Sequence, residues 1–167
     1  MPVIAMTMEV GTRGSEVAAG LAETLNIASV GHEIVDRVAD KMNVRKSLLQ
    51  RLREGKASML ERISTSQSEI AVYTAEEVLA IAQKGNVLVR GWGSTLLLRP
   101  VPHIPCIRVC APFEARVRSL MRRLDTDDEE FIRDEIQRSD EAHAAAMQAR
   151  YHAVSYTHLT LPTICSV

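Results

Sequence analysis

Gly11 and Gly14 stand three residues apart in Gly11-Thr12-Arg13-Gly14-Ser15-Glu16, between an apolar run and a helical pattern. The run is Val3-Ile4-Ala5-Met6-Thr7-Met8, and the pattern extends from Glu16 to Leu25 with Val17, Leu21 and Leu25 on one face. A buried strand that turns through glycines into a helix presents free backbone N–H groups at the positive end of the helix dipole. Such a turn is an anion site, and it points to a phosphate-containing ligand. Glycine at a strand-to-helix turn also serves backbone freedom alone, and the spacing does not separate the two uses.

A second chemically loaded stretch is Arg116-Val117-Arg118-Ser119-Leu120-Met121-Arg122-Arg123, directly before the acidic run Asp125–Glu130. Arginines at this density either approach a phosphate or form a solvated face offset by neighbouring acids. Arg116 is the candidate for the first role, Arg118 and Arg123 for the second. His32 and His143 are able to hydrogen-bond a phosphate when protonated, and equally suit surface or packing positions. Trp92 fits base stacking or packing at a strand end. His103 lies in Pro100-Val101-Pro102-His103-Ile104-Pro105, read as a stiff extended connector, and has no assigned role. No cluster has zinc or iron ligand spacing, so no metal ligand is assigned. Cys106 and Cys110 are about 13 Å apart along a strand, too far for a disulfide or a shared zinc. They read as small core residues, and with Cys165 they suit a reducing compartment.

The elements that must position these residues alternate. Val3–Met8, Ile27–Val30, Asn86–Arg90 and Pro105–Ala111 read as strands. Glu33–Met42, Val44–Glu54, Lys56–Ile63, Ala75–Lys84 and Glu114–Leu124 read as helices, followed by one running to about Ala149. Thr74-x-x-Glu77 and Thr126-Asp127-Asp128-Glu129 have the form of capping boxes. The alternation argues for an α/β fold with a parallel sheet covered by helices. The long helical stretch at about 33–84 between the second and third strands reads as an insert that closes over substrate as a separate subdomain.

At 167 residues the chain is one domain by length, with 46% apolar and 25% charged residues. Net charge is −1, which gives no bulk electrostatic reason to bind nucleic acid or an anionic membrane. No apolar run approaches the roughly 20 residues that span a bilayer, and the first residues read as a core strand rather than a signal peptide. The expected location is cytoplasmic; the oligomeric state is not legible.

Val154-Ser155-Tyr156-Thr157-His158-Leu159-Thr160-Leu161-Pro162-Thr163 breaks off a helical pattern rich in alanine, glutamate and arginine. It resembles the in-frame translation of a transposon-based sequencing adapter. Residues 154–167 are therefore expected to be a non-native tail, and 1–153 the genuine domain, C-terminally truncated, its native sequence continuing past Ala153.

Several segments in order resemble the cytidylate kinase-like family, a branch of the P-loop nucleoside monophosphate kinases. They are Thr7-Met8-Glu9-Val10-Gly11-Thr12-Arg13-Gly14-Ser15-Glu16-Val17-Ala18, Leu21-Ala22-Glu23-Thr24-Leu25-Asn26-Ile27, Asn86-Val87-Leu88-Val89-Arg90-Gly91-Trp92-Gly93, and Ile107-Arg108-Val109-Cys110-Ala111-Pro112 with Arg116 beyond. The resemblance implies a P-loop NTPase-like sheet with a helical insert and a lid. It further implies phosphoryl transfer from ATP, with Mg2+, to a nucleoside monophosphate such as CMP or dCMP. Gly11, Thr12, Arg13, Gly14, Ser15 and Glu16 would surround the donor phosphates. His32, Gly91 and Arg108 would lie on the acceptor side. Arg116, Arg13 and Arg122 would be the catalytic cations.

The chain departs from the family pattern at several of these positions. In a standard loop, G-x-x-x-x-G-K-[ST], a lysine meets the phosphates and a hydroxyl meets magnesium. Counting from Gly14, those positions hold Ser15, where many relatives have arginine, and Glu16; Arg13 is a partial substitute. Val30-Gly31-His32 replaces a Tyr-Asp-Arg-like run, Trp92 replaces the arginine of a glycine-arginine-glycine turn, and His143 replaces an arginine three residues after Asp140. A catalytic arginine is worth roughly 10³–10⁵ in rate, or about 4–7 kcal/mol of barrier. The alternative to an active kinase is thus a catalytically degenerate, nucleotide-binding regulatory module. A helical interaction protein with an incidental glycine turn is a third class.

Overall fold

Alternation along Val3–Met8, strand β1, sets the layering of the molecule. Ile4 and Met6 pack to one side with Ala18, Ala22, Ile27, Leu88 and Val109. Ala5 points to the other side, into a core with Val87, Val89, Ile34, Val38, Leu49, Ile70, Val78 and Ile81. Residues 1–54 and 56–151 are described in the computed structural model, Arg53 by its backbone alone. The expectations for residues 154–167, Cys165 included, lie outside the described residues.

Strands β2 (Ala28–Val30), β3 (Val87–Arg90) and β4 (Cys106–Val109) join β1 in an all-parallel sheet of order β2-β3-β1-β4. Val3 stands opposite Val87, Met6 opposite Arg90, and Thr7 opposite Arg108. Parallel neighbours require crossovers, supplied by helices α1 (Gly14–Leu25), α2 (His32–Met42), α3 (Lys46–Arg53), α4 (Met59–Ser64), α5 (Gln67–Lys84) and α6 (Ser94–Leu97). Helices α7 (Phe113–Leu124) and α8 (Glu129–Tyr151) pair as a hairpin around Val117, Leu120, Ile132 and Ile136. This is an α/β fold, a parallel sheet covered by helices. No helix among the described residues is long and apolar enough to cross a membrane.

Several local expectations are corrected. Val17 and Leu25 of α1 are 37% and 43% exposed; the buried face is Gly14, Ala18 and Ala22, at i, i+4 and i+8. Small residues on that face bring the helix axis close to the sheet, and Leu21 packs only at the edge. Within the expected insert at about 33–84, α2, α3 and α5 supply the core on one side of the sheet. Only α4 buries none of its residues.

Helix α5 begins eight residues before the expected Ala75, at Gln67, where the Ser66 hydroxyl accepts from the Glu69 N–H at 3.2 Å. Thr74 is fully buried in mid-helix. Helix α8 is capped by Asp128, whose carboxylate accepts from the Phe131 N–H at 3.0 Å, and not by a Thr126–Glu129 box. Residues 100–105 are not extended; they form successive turns, with Val101 N–H donating to the Leu98 carbonyl and Ile104 N–H to the Val101 carbonyl. Cys106 is half-buried, and burial pushes its thiol pKa up.

Candidate functional site

The C-terminal ends of β1 and β3 are adjacent, and their connections leave toward opposite faces of the sheet. Such a switch point opens a crevice at the strand ends, the usual ligand position in an open α/β sheet. The residues singled out from the sequence fall into two groups around this edge and a third set apart from it.

The first group is the loop from Glu9 to Arg13, between β1 and α1. Glu9 N–H donates to the Val109 carbonyl at 3.0 Å, which ties the loop to β4. Thr12 donates to the Glu9 carbonyl from its N–H (3.3 Å) and its hydroxyl (2.7 Å), and Gly14 N–H donates to the Thr12 hydroxyl at 3.3 Å. The glycines have a packing reason here. Gly11 has φ +86°, and a β-carbon on it would lie 2.7 Å from the Arg116 carbonyl oxygen. A β-carbon on Gly14 would lie 2.6 Å from Met8 Cβ. Arg13 at the N-cap of α1 makes no side-chain cap hydrogen bond.

Outside the loop, Arg13 Nε donates to Glu16 at 2.9 Å and its Nη2 forms an ion pair with the same carboxylate. That hydrogen bond holds Glu16 below the ordinary carboxylate range, and Arg123 on α7 adds to it. Ser15 is exposed, with its hydroxyl 3.9 Å from the Met8 sulfur.

Behind the loop lies a chain of four charges. Arg108 donates to Glu9 at 2.6 Å, Ala111 N–H donates to the other Glu9 oxygen at 3.4 Å, and Arg116 Nη1 stands 3.8 Å from that oxygen. Arg116 is only 4% exposed. It donates twice to Asp140 of α8, at 3.0 and 2.5 Å, and once to the Val10 carbonyl at 3.3 Å. Its guanidinium also stands 5.7 Å from the Phe113 ring centroid. The Asp140 hydrogen bonds raise its pKa above the usual arginine value, against the opposing effect of burial.

The second group sits at the ends of β2 and β3. Gly91, Trp92 and Gly93 are all left-handed, with φ of 72°, 57° and 71°. The Gly91 N–H donates to the Met6 carbonyl at 2.8 Å. Trp92 is buried in the core. Gly31 N–H donates to the Glu33 carboxylate at 2.9 Å, and this bond lowers the Glu33 pKa. Exposed His32 opens α2 beside it, and Arg90 lies against Gly31. The Arg90 Nε is buried with no hydrogen-bond partner among the described residues.

Arg122 lies apart. Its Nε donates to the Arg118 carbonyl at 3.3 Å, and it lines an open hollow of about 530 Å³ with Arg118, Met121, Asp125, Thr126 and Asp127. The structure places Gly11 to Glu16 and Arg116 around one loop and His32 and Gly91 around the other; Arg108, expected on the acceptor side, stands instead behind the first loop on Glu9. Sequence reading missed Glu9 and Asp140 as the partners of Arg108 and Arg116. It also passed over Arg90, whose signal was a cation closing an apolar strand. Among the described residues, no group of three His, Cys, Asp or Glu is placed to hold a metal ion.

Comparison with known proteins follows the same lines. A search of curated proteins finds no match. A solved structure of an uncharacterized protein from Eubacterium ventriosum superposes with a TM-score of 0.69 at 18% identity, covering 94% of this chain and 83% of that one. A shikimate kinase from Acinetobacter baumannii, in complex with shikimate, gives 0.46 at 15% identity, covering 87% and 80%. The family model described as cytidylate kinase-like matches residues 3–161, and supports a function of the nucleotide-kinase type. By that match, the chain belongs to the cytidylate kinase-like family.

Proposed function

We propose that this protein transfers a phosphoryl group from ATP to a nucleoside monophosphate, with CMP and dCMP as the first acceptors to test. The observation that carries the reading is the Glu9–Arg13 loop. It joins the end of β1 to the start of α1 at the switch point of a parallel sheet. The chemistry asks for positioning and charge neutralisation rather than a protein nucleophile, and the two groups of residues are arranged for that division. Residues 11–16 take the donor phosphates. Arg90, His32 and the Gly91 turn take the acceptor side. Arg13 is exposed and, among the described residues, its side chain is held by Glu16, an exposed pairing it can leave for an incoming phosphate. Arg123 lies seven residues after Arg116, two turns along the same face of α7, and its charge helps hold the Glu16 carboxylate below its ordinary range. Arg116 stays behind the loop, and Arg108 serves with it through Glu9.

A magnesium ion would fit the donor set at the loop, because such ions are held by one or two carboxylates together with substrate phosphates. Glu16 is the exposed carboxylate available there; when bound, the ion supplies charge neutralisation between phosphate oxygens.

The second reading, a nucleotide-binding regulatory module, is favoured by Trp92. It is buried at 5% exposure where the family resemblance implies an arginine. One experiment separates the two: ATP and magnesium are incubated with CMP, dCMP, UMP and AMP in turn, and both diphosphate products are followed. ADP appearing together with a nucleoside diphosphate supports the kinase. ATP binding without either product supports the module, and absence of both removes the nucleotide reading.

A further inference from the structure

We propose that Asp140 is a positioning residue for the phosphate loop and acts on it through Arg116. For its nucleotide arm this rests on the function proposed above; the mechanical part stands without it. Arg116 belongs to α7, Asp140 to the middle of α8, and the loop to the β1–α1 connection, so the contact joins three elements distant in sequence. The guanidinium is fixed from one side by two parallel bonds to Asp140 and from the other by the Val10 carbonyl. The Arg116 backbone meanwhile lies against Gly11 so closely that no β-carbon fits between them. Two consecutive loop residues, Val10 and Gly11, are therefore shaped on a single residue of α7.

A buried ion pair of this kind adds little net stability over an apolar pair of the same shape, while breaking it strands a charge. Its value here is geometric. Glu9 Oε2 stands 3.8 Å from Arg116, while Asp140 holds both terminal nitrogens of the guanidinium. Without Asp140 the nearest anion left to Arg116 is Glu9, which already carries Arg108 and the Ala111 N–H. Arg116 would then close on Glu9, leave the Val10 carbonyl, and loosen the hydrogen-bonded turn at residues 12–16. The acceptor side is built on other elements, α2 and β3.

The test compares Asp140→Asn, Asp140→Ala and Asp140→Glu with the wild-type chain, first without any nucleotide. Hydrogen exchange is read at Thr12, Gly14 and Glu16, whose N–H groups are bonded within the loop, and at Ala5 and Val87 in the sheet. In Asp140→Asn and Asp140→Ala the loop amides are expected to exchange about tenfold faster, with Ala5 and Val87 unchanged, and Asp140→Glu to restore most of the protection. ATP affinity should fall about tenfold and CMP affinity should stay within twofold. Equal acceleration at loop and sheet makes Asp140 merely structural and overturns the proposal, as does unchanged loop exchange in a folded Asp140→Ala. If wild-type protein binds no ATP, the nucleotide reading fails, and the exchange comparison alone decides the role of Asp140. Should Asp140→Ala not fold, Arg116→Lys, which keeps one donor, must show the same loop-selective loosening.

Discussion

Gly14 and Met8 are in contact across the β1–α1 loop: a β-carbon on Gly14 would stand 2.6 Å from Met8 Cβ and 2.9 Å from Met8 Sδ. The helix therefore starts directly on the last residue of the strand, and no side chain larger than hydrogen fits. Gly14→Ala should cost about 1–3 kcal/mol of unfolding free energy, the usual range for overpacking. Part of that loss should return in the Gly14→Ala, Met8→Ala double variant, because shortening Met8 removes its sulfur from the clash although its Cβ remains. Urea unfolding of the four-member cycle measures the coupling. A folded Gly14→Ala protein with wild-type stability would show that the loop adjusts freely and that the close approach carries no cost.

The start of α5 separates two residues that look alike in sequence. Ser66→Ala should cost about 1 kcal/mol, the typical worth of an N-cap hydroxyl, since Ser66 accepts from the Glu69 N–H. Thr74→Val should be neutral or stabilising, because the Thr74 hydroxyl is buried without a hydrogen-bond partner among the described residues. Thermal unfolding of both variants tests this, and a larger loss at Thr74 than at Ser66 would move the helix start to where the capping pattern at 74–77 first placed it.

That pair of threonine and serine also marks where local reading of the chain stops working. Thr74-x-x-Glu77 and Ser66-x-x-Glu69 carry the same signature, and nothing local ranks them. The choice is made by burial, since Ile70, Val78 and Ile81 must all face the sheet on one continuous helix. The strands and their order in the chain were legible because apolar runs bounded by Gly, Asn and Pro leave few alternatives. The loop at 9–16 was legible for the same reason. The partner of Arg116 was not, because residues 116 and 140 are joined by a helical hairpin whose register no spacing rule gives. Arg13 and Glu16 are three residues apart and form an ion pair; Arg116 and Asp140 needed the fold.

Glu77 gives the molecule a defined acid response. Its carboxylate is buried, which alone pushes the pKa up, but Lys41 at 2.8 Å and Arg37 at 3.3 Å hold the net value below the ordinary 4.5. A carboxylate with a lowered folded pKa contributes stability above its unfolded pKa and loses it as pH falls through the folded value. Glu77→Gln should therefore lower stability at pH 7 by about 1–3 kcal/mol. The gap to wild type should narrow as pH drops below 4.5. A constant gap from pH 7 to pH 3 would mean the loss is steric rather than electrostatic.

Arg122 and Arg123 are neighbours with different surroundings, and kinetics should tell them apart. The charge of Arg123 acts on the Glu16 carboxylate, whereas Arg122 bonds the Arg118 carbonyl and lines the hollow at the end of α7. In the kinase reading, Arg123→Ala and Arg13→Ala should each lower kcat/KM by roughly 10²–10³. Arg122→Ala should stay within about threefold, as an exposed cation facing away from the phosphates. Steady-state rates with ATP and the best acceptor decide it, and a larger loss at Arg122 would require α7 to rotate on closure.

Trp92 is the departure whose reversal says most about whether the chain has drifted from catalysis. The indole fills the core formed with Ile34, Val38, Val89 and Leu98, on a backbone held at φ +57° between two glycines. Placing arginine there exchanges a large buried apolar surface for a charge inside an apolar core. Trp92→Arg should accordingly cost at least about 3 kcal/mol, the lower end for emptying an aromatic core site, and give no gain in phosphoryl transfer. Trp92→Phe, which keeps most of the volume, should cost less and leave transfer unchanged. If Trp92→Arg instead raised turnover at unchanged Tm, the side chain would have to reach the crevice rather than the core. The turn at 91–93 would then be a catalytic element awaiting its arginine. With the tryptophan packed as it is, the left-handed turn joins strand β3 to α6, and a positive charge at that edge would come from Arg90 or a protonated His32.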